Sequence, residues 1–204
     1  MKKLLYIICI YLASGICATA QAQADIDPSD MSIEANLNTP QVPSKAATDI
    51  RAHIASIGTA IARHNIEVSY LRNDEVLEAV IPCSALFEAN CTTLKRSAGK
   101  WLDPFAKLLK YPTMYKVILA VHSDNTGEPD YTDSLTADRA NAINTYLCQI
   151  SGTRGTNLIP YGMGQDEPLA DNNTLHGRAS NRRVEIYVVP EKQMIQTARA
   201  GKLK

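Results

Sequence analysis

Two opposite charges fifteen residues apart, Asp124 and Arg139, are the side chains in this sequence best placed to do chemistry. They lie in the run Tyr115 to Arg139, YKVILAVHSDNTGEPDYTDSLTADR. The run starts as a strand, crosses a polar loop with Gly127 and Pro129, and enters a helix. Asp124 is expected at the strand end and Arg139 a turn or so into the helix. A strand end facing a helix start offers spare backbone N–H groups and the positive end of the helix dipole, which suits a small charged ligand. A carboxylate reads an ammonium, and a forked guanidinium reads a carboxylate. The pair matches a zwitterion and is expected to bind it without catalysis.

Competing chemistries are weaker. His122 lies two residues before Asp124, so on an extended strand both face one side, but no third metal ligand or nucleophile is placed by the sequence. Arg178, Arg182 and Arg183 form a local basic group, yet the chain carries 21 basic and 21 acidic residues. Such a balance gives no support for nucleic-acid binding. No Cys-x-x-Cys pair is present, so a structural zinc site is not expected, and no cofactor is expected. Cys83, Cys91 and Cys148 follow the leader described below. Their odd number leaves at least one unpaired; Cys83–Cys91 is the obvious disulfide candidate, and three small buried hydrophobes is the preferred reading.

The elements that position these residues follow from periodicity. Ser44 to His64 has Ile50, Ile54, Ile57 and Ile61 at helical spacing, a packing face. Ile66–Arg72 and Glu75–Pro82 are strand-like around Asn73-Asp74, which fits a hairpin. Ser84–Asn90 is expected to be a loop. Thr92–Leu109 is expected to be a helix with a kink or break at Pro104. Val117–Val121 is a continuous apolar run, an interior strand. Thr132–Ile150 is the second long helix, ended by Ser151-Gly152. Asn157–Gly164 runs as a short strand into a Gly-rich turn, and Gln165–His176 is a loop. Arg182–Val189 alternates, with Glu185 and Tyr187 on a wet face. The order strand, helix, strand, helix, strand, strand implies one sheet with helices packed on it, and no transmembrane barrel is encoded.

The chain begins with Lys2 and Lys3, an apolar core from Leu4 to Ala13, and small-x-small sites at Ala18/Ala20, Ala20/Ala22 and Ala22/Ala24, the pattern of an export signal over residues 1–24. Removing it leaves 19 basic against 21 acidic groups. Cys17 raises lipidation as an alternative fate, although the bulky Ile16 before it departs from the lipoprotein pattern. Residues 25–44, with Pro28, Pro40 and Pro43, read as a flexible spacer; 45–74 as a helix and hairpin strand; 191–204 as a loose tail.

From Glu75 to Pro190 the sequence resembles the OmpA-like peptidoglycan-binding domain shared by outer-membrane protein A, the peptidoglycan-associated lipoprotein and the flagellar stator protein MotB. Five blocks carry the resemblance in the family's order. Ala85-Leu86-Phe87 with Leu94-Lys95 is similar to its first loop and helix start, and His122-Ser123-Asp124-Asn125-Thr126-Gly127 to its strand-end motif. Leu135-Thr136, Arg139-Ala140 and Tyr146-Leu147 are similar to its central helix. Gly162-Met163-Gly164 with Glu167-Pro168 is similar to its glycine turn. Asn172, Thr174, Gly177-Arg178 and Asn181 to Ile186 are similar to its closing signature. The resemblance implies an α+β fold, a β-α-β-α-β-β two-layer sandwich over residues 75–190.

It also implies noncovalent binding of peptidoglycan through the diaminopimelate of the stem peptide, gripped by Asp124 and Arg139. Further ligand contacts are implied at Phe87, Glu88, Asn90, Thr126, Leu135 and Arg182. The implied setting is the periplasm or the periplasmic face of the outer membrane, with envelope proteins as further partners. Glu88 stands where the family often has Asp, Thr132 where it usually has Asn, and Ser123 where it usually has Thr. The alternative is an interaction scaffold of the same fold whose N-terminal helix recruits a partner. An exported hydrolase lacks any nucleophile–base or zinc constellation.

Overall fold

The computed structural model describes residue 27 and residues 31–203. The expected leader, Cys17 and the start of the expected spacer lie outside them. A five-stranded sheet organises the chain, in the order β1-β2-β5-β3-β4. β1 (Glu67–Leu71) and β2 (Val76–Pro82) form the expected hairpin. Its turn holds Arg72, Asn73 and Asp74 at φ 52°, 52° and 65°, left-handed backbone that Asn and Asp tolerate well. β3 (Tyr115–Val121) is buried along its whole length, as its apolar run requires. It pairs in parallel with β4 (Leu158–Gly162) and antiparallel with β5 (Arg183–Pro190), which also pairs with β2.

One face of the sheet carries the main core. α2 (Ser44–Ala62) sets Ala46, Ile50, Ile54 and Ile61 into it, so the isoleucine stripe is consumed internally. α4 (Gly99–Ala106) adds Leu102 and Phe105, and α5 (Pro129–Ser151) adds Ala140, Ile143 and Leu147. α5 ends at Gly152, whose φ of 68° forms the left-handed cap expected there.

Several expectations are corrected. The spacer is not featureless: α1 (Ile33–Leu37), capped by Ser32, lies in it. Ile33 and Leu37 pack with Tyr161 and Met163 over a second cluster of Val76, Ile118, Ala120, Ile159, Tyr187 and Val189 on the opposite sheet face. That cover removes the wet face expected for β5, which is buried at every position. The tail contains α7 (Lys192–Arg199), which buries Met194, Ile195 and Ala198 against the main core and packs beside α2. The expected loop at 84–90 begins in a short helix, α3 (Cys83–Leu86). The loop at 165–176 runs into α6 (Leu175–Asn181), capped by the Thr174 hydroxyl. α4 starts at Gly99, not Thr92, because Leu94 is drawn into a bridge with Phe87. A 3-10 turn (Leu108–Lys110) follows it, beyond Pro104, which removes one helical donor. No helix among the described residues is long and apolar enough to cross a membrane.

Candidate ligand-binding site

The chain beyond β3 stays pinned. His122 N donates to the Arg183 carbonyl at 2.9 Å, and Ser123 N to the Gly164 carbonyl at 2.6 Å. Gly164 N in turn donates to Thr136 Oγ1 of α5 at 2.9 Å. At Gly162 a Cβ would run into the Ala137 backbone, so only glycine lets α5 lie this close to the strand end. These ties fix Asp124 relative to the helix that carries Arg139. That helix begins at Pro129, whose ring suits a first turn. Arg139 therefore sits ten residues along it, about 15 Å from the start and not the single turn expected.

A cavity of about 370 Å³ opens between these elements. All eight residues singled out from the sequence line it: Asp124 and Arg139, then Phe87, Glu88 and Asn90 on one wall, Thr126 and Leu135 beside the helix, and Arg182 from the end of α6. Asp124 and Arg139 do not pair with each other. Asp124 is 2% exposed and pairs with Arg182. It also accepts from Thr126 N at 3.0 Å and from the Thr126 hydroxyl. Burial pushes the Asp124 carboxyl up, but the Thr126 and Arg182 hydrogen bonds and the Arg182 charge outweigh it and hold the carboxyl below its usual range.

Arg139 is 5% exposed. Nε donates to the Cys91 carbonyl at 2.9 Å and Nη2 to the Glu88 carbonyl at 3.2 Å. The guanidinium carbon lies 5.0 Å from the centre of the Phe87 ring, a cation–π contact. No carboxylate among the described residues neutralises it. A buried cation without a counter-charge costs several kcal/mol relative to water, and here it lines a cavity whose mixed walls include Phe87 and Leu135, where charge pairing is stronger than in bulk water.

The Glu88 side chain is exposed and paired with Lys95 at 3.1 Å. Its backbone carbonyl serves the site instead. Asn90, at φ 55°, turns the loop so that the carbonyls of residues 88 and 91 both reach Arg139. Carbonyl roles leave no mark on side-chain type, so the sequence could not single out Cys91. The left-handed Asn is the one signal available.

His122 does not serve the cavity. Its Nε2 lies 3.1 Å from Glu185, which also accepts from Arg183 Nε at 2.6 Å and from the Tyr187 hydroxyl at 2.6 Å. Burial raises the Glu185 carboxyl, but these partners overcome it and bring it down to about 2. No group of three metal-ligating side chains occurs among the described residues. The three cysteines are free: Cys83 is buried, Cys148 half-buried and Cys91 exposed, so the reading of three buried thiols fails at Cys91.

A model of the OmpA family matches residues 86–182. The outer-membrane lipoprotein YfiB of Pseudomonas aeruginosa is 32% identical over 125 residues, which cover 61% of this chain and 74% of that one. The peptidoglycan-binding protein ArfA of Mycobacterium tuberculosis is 38% identical over 87 residues, 43% of this chain and 26% of that one. Of two further curated relatives, the chain spans 56% of one and 30% of the other. Among solved structures, the cell wall anchor of the T6SS from Pseudomonas aeruginosa superposes with a TM-score of 0.55 at 26% identity, over 68% of this chain and 97% of that one.

Proposed function

The chain belongs to the OmpA family, and from that premise we propose that it binds peptidoglycan noncovalently, through the diaminopimelate of the stem peptide, and so anchors an envelope assembly to the cell wall. One observation carries the ligand assignment: the buried Arg139 guanidinium lines the cavity and pairs with no carboxylate among the described residues. A ligand carboxylate supplies the missing charge, and a charge-assisted pair in a site walled by Phe87 and Leu135 is far stronger than in water. The ligand ammonium goes to Asp124. There Arg182, whose side chain is 44% exposed, holds the place of that ammonium in the free protein and is free to swing into solvent. Glu88 and Asn90 contribute through loop shape, and Thr126 holds the Asp124 carboxylate. The relatives named above for the outer membrane and the cell wall support a place in the envelope, at the periplasmic face of the outer membrane.

The test is co-sedimentation of purified protein with insoluble sacculi. Wild type is expected in the pellet. Asp124→Ala and Arg139→Ala are each expected in the supernatant, with an unchanged circular dichroism spectrum. Pelleting of both variants would overturn the site.

A further inference from the structure

On the other side of Arg182 and Ser84 lies a second groove, of about 530 Å³. Both residues also line the Asp124/Arg139 cavity, so the two spaces adjoin there. The groove runs between the end of β2, α4 and α6. Trp101 of α4, half-buried against the main core, forms one wall. Leu169, 63% exposed, and Ala179 add apolar surface. Asn65, Ser84 and His176 bring polar groups, all exposed.

The polar groups are idle. Among the described residues the side chains of Asn65, Ser84, Trp101 and His176 make no hydrogen bond with any other. The indole N–H is a donor only, and the other three offer both donors and acceptors. Arg182 spends a single side-chain hydrogen bond, on Asp124, which leaves further N–H groups at the groove edge. The charges are balanced: Arg182 by Asp124 and Arg183 by Glu185, with Glu67 the remaining acid. While Arg182 stays on Asp124, a phosphate or an acidic peptide finds no spare cation here. A neutral ring with one apolar face and a rim of hydroxyl and amide groups finds both an aromatic wall and unpaired hydrogen-bonding partners. The volume falls in the range of small-ligand sites.

We propose that this groove is a saccharide subsite for an N-acetylated sugar of the glycan strand that carries the stem peptide. The proposal rests on the stem-peptide reading of the neighbouring cavity, because a peptide held there sets the sugar that carries it beside Arg182 and Ser84, the shared rim of the Trp101 groove. Binding then couples the two parts of one ligand, and the second engagement is intramolecular.

The experiment is calorimetric titration of the full chain with three soluble probes: the free stem tetrapeptide, the same tetrapeptide on its N-acetylglucosaminyl–N-acetylmuramyl disaccharide, and the disaccharide alone. Wild type should bind the disaccharide-peptide about tenfold more tightly than the peptide, a gain of about 1.4 kcal/mol. In Trp101→Ala the ratio should fall to near one while the peptide affinity is kept. Trp101 also packs on the core, so the exposed variant His176→Ala provides a second reading, with the ratio at least halved. Equal affinities in wild type, or an unchanged ratio in both variants, would overturn the subsite. Loss of peptide binding with Trp101-dependent disaccharide-peptide binding would sustain the subsite and overturn the stem-peptide reading. No binding of any probe would overturn both.

Discussion

Two buried cations sit in different parts of this molecule, and they are treated in opposite ways. Lys116, on β3, is 5% exposed beneath the segment that leads out of α1. Its ammonium donates to Asn36 Oδ1 at 3.1 Å and to the Thr39 carbonyl at 2.6 Å, with Thr39 Oγ1 at 3.4 Å. Asn36 is itself fully buried and donates to the Tyr161 hydroxyl at 2.8 Å, which donates to the Met31 carbonyl at 2.6 Å. Lys116 also borders a cavity, with Asn157 and Glu191, but its ammonium is taken up by these acceptors of the chain. Arg139 is as deeply buried, yet it is satisfied along one edge by carbonyls and faces a cavity with its charge unopposed. A buried cation whose donors are consumed by the chain is a structural tie. One left open toward a cavity is a receptor for an anion. Burial alone does not separate the two; the partner inventory does.

The contrast can be broken experimentally, and the largest effect is expected at the cavity. Arg139→Lys keeps the charge but loses the fork, and a point charge cannot hold both carbonyls and grip a ligand carboxylate. It should weaken sacculus binding by about a hundredfold, about 2.7 kcal/mol, read by co-sedimentation at graded sacculus concentrations. Unaltered binding would mean that Arg139 is a structural tie like Lys116.

Lys116→Met should do the reverse. It leaves the Thr39 carbonyl without its ammonium donor and should cost about 2 kcal/mol of stability, measured by urea unfolding, with sacculus binding unchanged. The pH dependence sharpens this. Burial lowers the Lys116 ammonium to about 8, against a partial pull upward from Glu191. The folded pKa lies below the unfolded value of about 10.4. Between those values the unfolded chain binds more protons, so this group adds stability as the pH rises from about 8 to about 10.4. The stability of wild type relative to Lys116→Met should therefore grow over that window. A flat difference would show that Lys116 is not desolvated as its burial indicates.

An acid effect belongs to Glu185. Its folded carboxyl lies at about 2, below the unfolded value of about 4.3. Its contribution is intact above pH 4.3 and is lost as the pH falls from there toward 2. Glu185→Gln should flatten the acid unfolding profile in that range, and an unchanged profile would remove the network from the stability of the strand end.

The smallest effect is expected at Glu88. Its carboxylate is exposed and paired only with Lys95, and such a pair contributes less than about 1 kcal/mol. Glu88→Ala keeps the carbonyl that holds Arg139 and should change sacculus binding by less than about twofold. A larger loss would place the side chain itself on the ligand.

The deletion of residues 25–64, an obvious way to separate wall binding from a partner-recruiting helix, is ruled out by the packing. Ile50, Ile54 and Ile61 are core residues, and the truncated chain would lose one wall of its interior.

The sequence by itself determined the sheet and its long helices, because each has a period or an apolar run strong enough to read in isolation. The stripe of α2, the VILAV run of β3 and the Gly152 stop of α5 are local facts. For the cavity, the charges and spacing pointed to Asp124 and Arg139, while Arg182 and the other lining residues came from the resemblance to the OmpA-like domain, whose motifs are built from side chains. Only the tertiary structure decided how they are partnered. Asp124 takes Arg182, not Arg139, because both lie at strand and helix ends on the same rim. Arg139 takes main-chain carbonyls, which any residue type supplies. α1 and α7 were illegible for a related reason: each is too short for its period to rise above a polar background, and each is stabilised by the surface it covers and not by its own sequence.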